Sequence, residues 1–262
     1  MQSTLLIKAL IAGRLFYWLL FPLSAYATPL CPPSHIDRQV QVRYVHDGDT
    51  LHLKSGEKVR LIGINTPELA RKGLPAQALA VQARDRLRQL VSNSGQQLKL
   101  KMDQEHRDRY GRLLAHLYSE NGNSLSAQLL QDGLATLLAV PPNLDGLDCY
   151  ARAEKKAQQT GKAIWQLERN QLIASTELHP RSRGYRRISG KVIRIGEGRR
   201  NLWLNLPGKV AFRIDKNELP LFNTLKPREL LGKTILGRGW VYERKGELRM
   251  RLRTPYALEV LH

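Results

Sequence analysis

The sequence predicts an α+β chain made of a β-barrel with packed helices, followed by a smaller, mostly β barrel. Two observations lead to this prediction. Short strands and helices alternate through residues 38–167, and five alternating strands follow in residues 188–253. The 262 residues suit one or two domains, and 42% hydrophobic residues suffice for packed cores. This composition excludes a disordered chain.

The first 27 residues are predicted to be a secretory signal peptide. Lys8 and Arg14 precede an apolar run at 15–23, and residues 25–27 (Ala-Tyr-Ala) offer the small side chains that a signal peptidase reads. The alternative is a membrane anchor, but this run is too short to cross about 30 Å of hydrocarbon. We therefore expect an exported protein, periplasmic or secreted, with no stable membrane insertion after cleavage.

Two cysteines, Cys31 and Cys149, are present in the whole chain. Export to an oxidising compartment favours a disulfide between them, and two unpaired thiols are the alternative. A disulfide would tie the start of the mature chain to its body and stabilise it by about 4 kcal/mol in the chain-entropy treatment.

The elements of the first part follow from alternation, turns and helical spacing. Strands are predicted at 39–45, 50–53, 58–64, 98–102 and 113–118. Helices are predicted from Pro75 through Val91, at 124–132 before Gly133, and at 150–160 before Gly161. Three strands, a helix, two strands and two helices indicate a small barrel with helices packed on it.

The second part is predicted to be mostly β. Strands are expected at 188–195, 201–206, 210–214, 234–242 and 247–253, with a short helix near 220–225. This is the element order of an OB barrel. In the last strand Arg249, Arg251 and Arg253 alternate with apolar residues, which puts three guanidinium groups on one face. Trp203 and Trp240 also lie in alternating strands, which favours the core over base stacking.

Positive charge is concentrated in this second part. The chain carries a formal +19. Residues 28–179 contain 20 Lys/Arg against 16 Asp/Glu, whereas residues 180–262 contain 20 against 7. A protein this basic is expected to bind a polyanion, with nucleic acid ahead of an anionic membrane or polysaccharide surface. The arginine stripe at 249–253 is therefore interpreted as a contact with the polyanion, and a solvated face is the alternative.

Four segments carry residues that could do chemistry. They are Asp47-Gly48-Asp49-Thr50, residues 59–68 (Val-Arg-Leu-Ile-Gly-Ile-Asn-Thr-Pro-Glu), Asp108-Arg109-Tyr110-Gly111-Arg112, and residues 129–135 with the helix that ends before Gly161 and Trp165. Singly, each has a structural explanation, since an Asp-Gly turn often only closes a hairpin. Together, in this order and spacing over residues 42–165, they resemble the thermonuclease (staphylococcal nuclease-like) family.

The resemblance implies an OB-type five-stranded β-barrel with packed helices as a catalytic domain at 38–167. A basic linker at 168–184 and a basic OB-like accessory domain at 185–262 would follow. The implied activity is metal-dependent hydrolysis of phosphodiester bonds in DNA, RNA or both, leaving 3′-phosphate ends. A monomer is expected, and no protein partner is implied. The alternative is a non-catalytic protein that binds nucleic acid or an anionic envelope surface.

The resemblance also implies roles for individual residues. Arg60 and Arg112 would hold the phosphate, because planar guanidinium groups suit a phosphorane, and Glu68 would activate water. Ca²⁺, which prefers oxygen ligands, would be bound by Asp49, Asn65 and Thr66, with Asp47 slightly further out. The substrate would be contacted by Arg109, Tyr110, Arg249, Arg251 and Arg253.

Two positions depart from the family pattern. The family usually has aspartate where this chain has Asn65, so we expect weaker Ca²⁺ binding. Residues 138–141 (Leu-Ala-Val-Pro) occupy a stretch where the family often places tyrosines near the bound base, so base preference is expected to differ.

Overall fold

The computed structural model describes residues 28–71 and 73–261; the predicted signal peptide lies outside them. The first half contains strands β1 (Arg38–Val45), β2 (Thr50–Leu53), β3 (Lys58–Leu61), β4 (Gly63–Asn65), β5 (Gln97–Arg107), β6 (Leu113–Tyr118) and β7 (Thr136–Leu138), with helices α1 (Ala80–Asn93), α2 (Leu125–Gln131) and α3 (Leu147–Gln159). Five of these strands close a barrel in the order β1-β2-β3-β6-β5, with β3 parallel to β6. This confirms the predicted α+β barrel with packed helices.

The barrel forms because alternate strand residues are apolar and point inward. Leu51 and Leu53 in β2, and Leu98 and Leu100 in β5, are almost completely buried in one hydrophobic cluster. Helix α1 adds Leu87 to this cluster from a face with helical spacing. The barrel is a packed core, so functional groups are confined to its ends and loops.

The predicted strand at 58–64 is interrupted, and this interruption shapes one end of the barrel. Gly63 has φ +82°, and a side chain there would collide with Tyr150. The chain therefore leaves the barrel after Leu61, and β4 pairs with β7 in a separate two-stranded ladder in which Asn65 faces Thr136. Strand β7 is only three residues long, too short for an alternating pattern to predict it.

The helix predicted from Pro75 begins five residues later, at Ala80. Leu79 has φ 68°, which is incompatible with continuing a helix toward the N-terminus. Residues before it form a loop in which the Gln77 amide donates to the carbonyl of Glu68 (2.9 Å). This contact holds the chain after Glu68 back against the barrel end.

The second half folds into one eight-stranded sheet. Its strands are β8 (Leu172–Ala174), β9 (Gly184–Lys191), β10 (Arg194–Glu197), β11 (Asn201–Leu206), β12 (Val210–Asp215), β13 (Thr234–Arg244), β14 (Glu247–Arg251) and β15 (Leu258–Leu261). The order is β10-β11-β12-β14-β13-β9-β8, with β15 also paired to β13. If the consecutive strands β9 and β10 are counted as one strand, the strand order of this sheet is the same as that of the first barrel. The parallel pair is also shared, since β12 runs parallel to β14 here and β3 runs parallel to β6 in the first barrel. The assignment of this half to the OB type stays a prediction.

The segment 168–184, predicted as a linker, contains regular structure. A 3-10 turn spans Glu168–Asn170, and β8 pairs in parallel with β9. Ser175 and Leu178 are buried, the latter in the core of the second half. Strand β8 has only three residues, which is too short for a periodic pattern. The polar composition of the segment therefore predicted a linker. The segment is an edge of the second sheet and not a free tether.

The two halves are joined by a buried ion pair. Arg238 on β13 contacts the carboxylate of Glu154 on α3, and the two side chains are 13% and 2% exposed. The other oxygen of Glu154 accepts a hydrogen bond from the backbone amide of Leu137 (2.7 Å). Nearby, the Tyr256 hydroxyl donates to Asp148 (2.7 Å). The first half therefore depends on the second half to neutralise a buried acid.

A disulfide joins Cys31 and Cys149, whose Cα atoms are 5.6 Å apart. It connects the segment before β1 to helix α3, across a sequence separation of 118 residues. Of the helices in the described residues, none has the length and apolar character needed to cross a membrane.

Candidate active site

Four segments meet at one end of the first barrel: the β1–β2 turn, strand β3, the loop after β4 and the β5–β6 loop. The β1–β2 turn carries Asp47 and Asp49, and the side chain of Asp47 accepts a hydrogen bond from the Asp49 amide (3.0 Å). Gly48 between them packs so closely that a Cβ would lie 2.7 Å from the Thr66 hydroxyl oxygen and 2.9 Å from Ala83. Glycine at this position therefore lets the turn sit directly against the loop after β4.

Asp49 is the centre of the site and is almost fully buried. Its Oδ2 atom accepts hydrogen bonds from the backbone amide and the hydroxyl of Thr66, both at 3.0 Å. The same oxygen lies 3.2 Å from Nη2 of Arg60. Its Oδ1 atom accepts from the Thr50 hydroxyl (3.2 Å). One carboxylate thus connects three of the four segments.

Arg60 is held rigidly at the barrel end. The pairing of β2 with β3 puts Thr50 opposite Arg60, next to Asp49. The guanidinium group donates to the carbonyls of Leu61 (2.6 Å) and Ile64 (2.9 Å), and the side chain is only 13% exposed. An arginine buried in a strand is costly without such partners, and these contacts satisfy it.

Arg112 approaches the same point from the β5–β6 loop. Its Nε donates to Oδ2 of Asp108 (2.7 Å), and its Nη1 lies 3.4 Å from the Thr50 hydroxyl. Burial alone would raise the pKa of Asp108, but hydrogen bonds from Arg112 and from backbone amides hold that pKa below its ordinary value. Asp108 was not among the predicted site residues, although its place four residues before Arg112 in the same segment was a usable signal.

An aromatic ring and a second arginine lie beside Arg112. Tyr110 is 68% exposed, and the Arg109 guanidinium lies 4.8 Å from its ring centroid and donates to its hydroxyl (2.7 Å). Arg112 lies 5.6 Å from the same ring. These groups and Arg60 line a cavity of about 450 Å³. The cavity combines guanidinium groups with an exposed aromatic face, which suits a nucleotide.

Glu68 lines a second cavity together with Asn65 and Thr66. The residue as a whole is exposed, yet partial burial of its carboxyl group raises its pKa, and the charges of Asp49 and Asp47 raise it further. A raised pKa brings a carboxylate closer to the range that general-base catalysis needs.

The predicted calcium ligands provide oxygen donors that fit a hard cation. Asp49 supplies a carboxylate, Thr66 a backbone carbonyl and Asn65 a side-chain amide oxygen, all in the two adjoining loops. Burial and the charge of Asp49 raise the pKa of Asp47, so the site contains crowded negative charge that a cation would relieve. Within residues 28–71 and 73–261, however, no group of three His, Cys, Asp or Glu residues could hold a metal by itself. The Nδ2 atom of Asn65 donates to the Thr66 carbonyl (3.3 Å), so two of the three predicted ligands lie in contact with each other.

The three predicted substrate arginines of the second half are in ion pairs. Arg251 and Arg253 both donate to the Glu218 carboxylate, at 2.9 and 3.0 Å. Arg249 pairs with Glu247 (2.7 Å) and lies over the ring of Trp203. Of the three, Arg253 alone lines the cavity that contains Arg60 and Tyr110. The structure thus brings Arg253 to the site and leaves Arg249 away from it.

Comparison with known proteins supports the resemblance of the first half. The family described as "Staphylococcal nuclease homologue" matches residues 58–167, which include Arg60, Glu68 and Arg112. The chain is 34% identical to the thermonuclease of Staphylococcus intermedius over 128 residues, which cover 48% of this chain and 74% of that protein. It is 32% identical to the thermonuclease of Staphylococcus hyicus over 132 residues, or 49% of this chain and 76% of that protein. It is 37% identical to endonuclease YncB of Bacillus subtilis over 124 residues, or 45% and 57% of the two chains.

Proposed function

The chain belongs to the staphylococcal nuclease family, and we propose that it is a metal-dependent nuclease that hydrolyses phosphodiester bonds of DNA, RNA or both. The observation that carries this proposal is the convergence of Arg60, Arg112 and Glu68 around the buried Asp49 at one end of the barrel. This convergence favours an enzyme over the alternative, a barrel that only binds nucleic acid, because binding needs no general base.

The two arginines neutralise the charge that develops at phosphorus. Arg60 is fixed by two carbonyls and by Asp49, and Arg112 is fixed by Asp108, so both forks are oriented before the substrate arrives. Donors that need no reorganisation in the transition state give the largest electrostatic stabilisation. Each is expected to contribute about 10²–10³-fold to the rate.

Glu68 takes a proton from the attacking water. The water oxygen forms a bond to phosphorus as the bond to the 5′ oxygen breaks, and the departing 5′ oxygen is protonated by solvent. The product chain then ends in a 3′-phosphate. The raised pKa of Glu68 supports this role, because a weakly acidic carboxyl group is a better base near neutral pH.

Asp49, Asn65 and the Thr66 carbonyl would hold Ca²⁺, and Asp47 would lie next to it. When bound, the ion supplies positive charge beside the phosphoryl oxygens. The chain's own part is to align these oxygen donors, which Asp49 does through its two hydrogen bonds to Thr66.

The test is a cleavage assay on fluorescently labelled DNA and RNA, with Ca²⁺ or with a chelator, in the wild type and in Glu68→Gln. We expect Ca²⁺-dependent cleavage by the wild type and a loss of at least 100-fold in the variant. Treatment of the products with a phosphatase should be required before a polymerase can extend their 3′ ends. If no divalent ion supports cleavage, the protein is a binding protein and the proposal is wrong.

We also propose that the protein acts as a monomer outside the cytoplasm, in the periplasm or after secretion. The disulfide between Cys31 and Cys149 supports an oxidising compartment. Fractionation of cells that express the chain, with a thiol-labelling assay of the two cysteines, tests this location. Free thiols in a cytoplasmic pool would contradict it.

A further inference from the structure

The cleft between the two halves carries positive charge that the proposed chemistry does not use. It is a cavity of about 360 Å³ lined by Glu68 and Asn65 from the first half and by Arg169, Arg186 and Trp240 among others. We call this cavity the inter-barrel cleft. Because Glu68 forms part of its wall, anything bound in the cleft lies next to the proposed general base.

A third cavity adjoins both the inter-barrel cleft and the cavity of Tyr110. It has a volume of about 280 Å³ and shares Trp240 with the cleft and Arg253 with the Tyr110 cavity. The three cavities are therefore neighbours that share lining side chains.

Arg169 and Arg186 have no carboxylate partner among the described residues. Arg169 donates to the side-chain oxygen of Gln77 (3.3 Å), and Arg186 donates to the carbonyl of Tyr185 (2.7 Å). Both side chains line the cleft, and burial together with the positive charge of Arg186 lowers the pKa of Arg169. Two arginines in one cleft that are bound only to neutral oxygens are suited to a phosphate.

Trp240 presents an open aromatic face in the same cleft. The sequence favoured a core position, but the side chain is 48% exposed, while the next residue, Val241, points into the core. The Tyr185 ring meets it edge-on, with centroids 5.5 Å apart and planes at 75°. Beside this contact, almost half of the Trp240 surface stays open to solvent. Exposed rings beside basic groups are what proteins use to stack on unpaired bases.

We propose that the inter-barrel cleft is a subsite for single-stranded nucleic acid, in which Arg169 and Arg186 hold a backbone phosphate and Trp240 stacks on an unpaired base. The inference rests on the proposed function for the identity of the ligand. A paired base in a duplex has both faces covered by its neighbours, so it cannot stack on Trp240. The protein should therefore bind single strands more tightly than duplexes.

The experiment measures binding of the full chain carrying Glu68→Gln to a labelled 20-nucleotide single strand and to the matching duplex, by anisotropy over a range of salt. Arg169→Gln/Arg186→Gln should lower the salt slope on the single strand by about 0.7 to 1.4. Trp240→Leu should weaken single-strand binding about 5- to 150-fold, and Trp240→Phe should keep most of it. Duplex binding should change less than threefold for Trp240→Leu.

The matched control is Arg199→Gln/Arg200→Gln, which removes the same charge from an exposed turn outside the cleft. An equal change in salt slope for this control would overturn the phosphate role, because it would reflect general charge. Equal binding by the Leu and Phe variants, at unchanged melting temperature, would overturn stacking. Failure of the wild type to cleave any substrate would refute the nuclease proposal separately, since the binding measurements do not depend on cleavage.

Discussion

The two halves of the chain share a strand order but place their charged residues differently. In the first barrel, acids and arginines gather at one end, where Asp49 is buried and Arg60 and Glu68 face two adjoining cavities. In the second half, arginines such as Arg251 are paired with acids on the outside of the strands, for example with Glu218. The first half has nearly balanced charge, and the second has 20 Lys/Arg against 7 Asp/Glu. Net charge therefore does not locate the candidate site; a few enclosed charges at one end of the first barrel do so.

The largest expected effect concerns the ion pair between Arg238 and Glu154, and it tests whether the stability of the first half depends on the second half. Arg238→Ala leaves Glu154 buried without a cation, and we expect the free energy of unfolding to fall by about 3–5 kcal/mol. Urea unfolding at pH 7 measures this change. Arg183→Ala is the control, because its exposed ion pair with Glu243 is worth about 1 kcal/mol or less. Equal destabilisation by both variants would mean that the halves are independent.

The next prediction compares the loss of kcat on replacing Arg60 in the first half with the loss on replacing Arg249 in the second half. Arg60→Ala should lower kcat by about 10²–10³-fold, because it removes a fixed donor from the transition state. Arg249→Ala should change kcat by less than about threefold, since Arg249 does not line the cavities. Single-turnover cleavage of a short labelled strand measures the rate change in each of the two variants. A large loss of kcat in Arg249→Ala would contradict this prediction and would indicate that the second half contributes groups to catalysis.

A smaller effect tests how Arg112 is positioned. Asp108→Asn weakens the ionic hydrogen bond to Arg112 and should lower kcat/KM by about 10- to 100-fold. The pKa of Asp108 is below its ordinary 3.8, so its stabilising contribution is present above that pH and is lost as pH falls through the lowered value. The stability difference between wild type and variant should therefore shrink between pH 5 and about pH 2.

The control for this prediction lies in the second half. Glu197→Gln removes the carboxylate that pairs with Arg228 on an exposed surface. We expect kcat/KM to change by less than about threefold, because surface ion pairs contribute little. A similar loss in both variants would indicate a general electrostatic effect instead of positioning.

The smallest predicted change concerns the metal. Asn65→Asp adds a carboxylate to the loop after β4 and should tighten Ca²⁺ binding about tenfold. Calorimetric titration of wild type and variant measures it, and Asn223→Asp adds the same charge at an exposed position of the second half as a control. If the affinity of Asn65→Asp equals that of the wild type, the charge at this position is immaterial to the cation.

The sequence was informative where a residue type has a strong local meaning. The turn at 47–49, the alternation of the strands and the glycines after the helices predicted the first barrel, which the structure confirms. The segments with Arg60, Glu68 and Arg112 indicated the family, because their order and spacing can be recognised in the sequence without a structure. The boundaries of the helices were predicted less accurately, since α1 begins at Ala80 and not at Pro75.

The first barrel, its family and the candidate site residues could thus be predicted from local patterns in the sequence. Tertiary structure alone decided that β4 leaves the barrel to pair with β7, that segment 168–184 belongs to a sheet, and that Arg238 neutralises Glu154. It also decided that Trp240 is exposed beside Glu68. The physical reason is that pairing and burial across distant segments depend on contacts between residues far apart in the chain, and local periodicity carries no record of them.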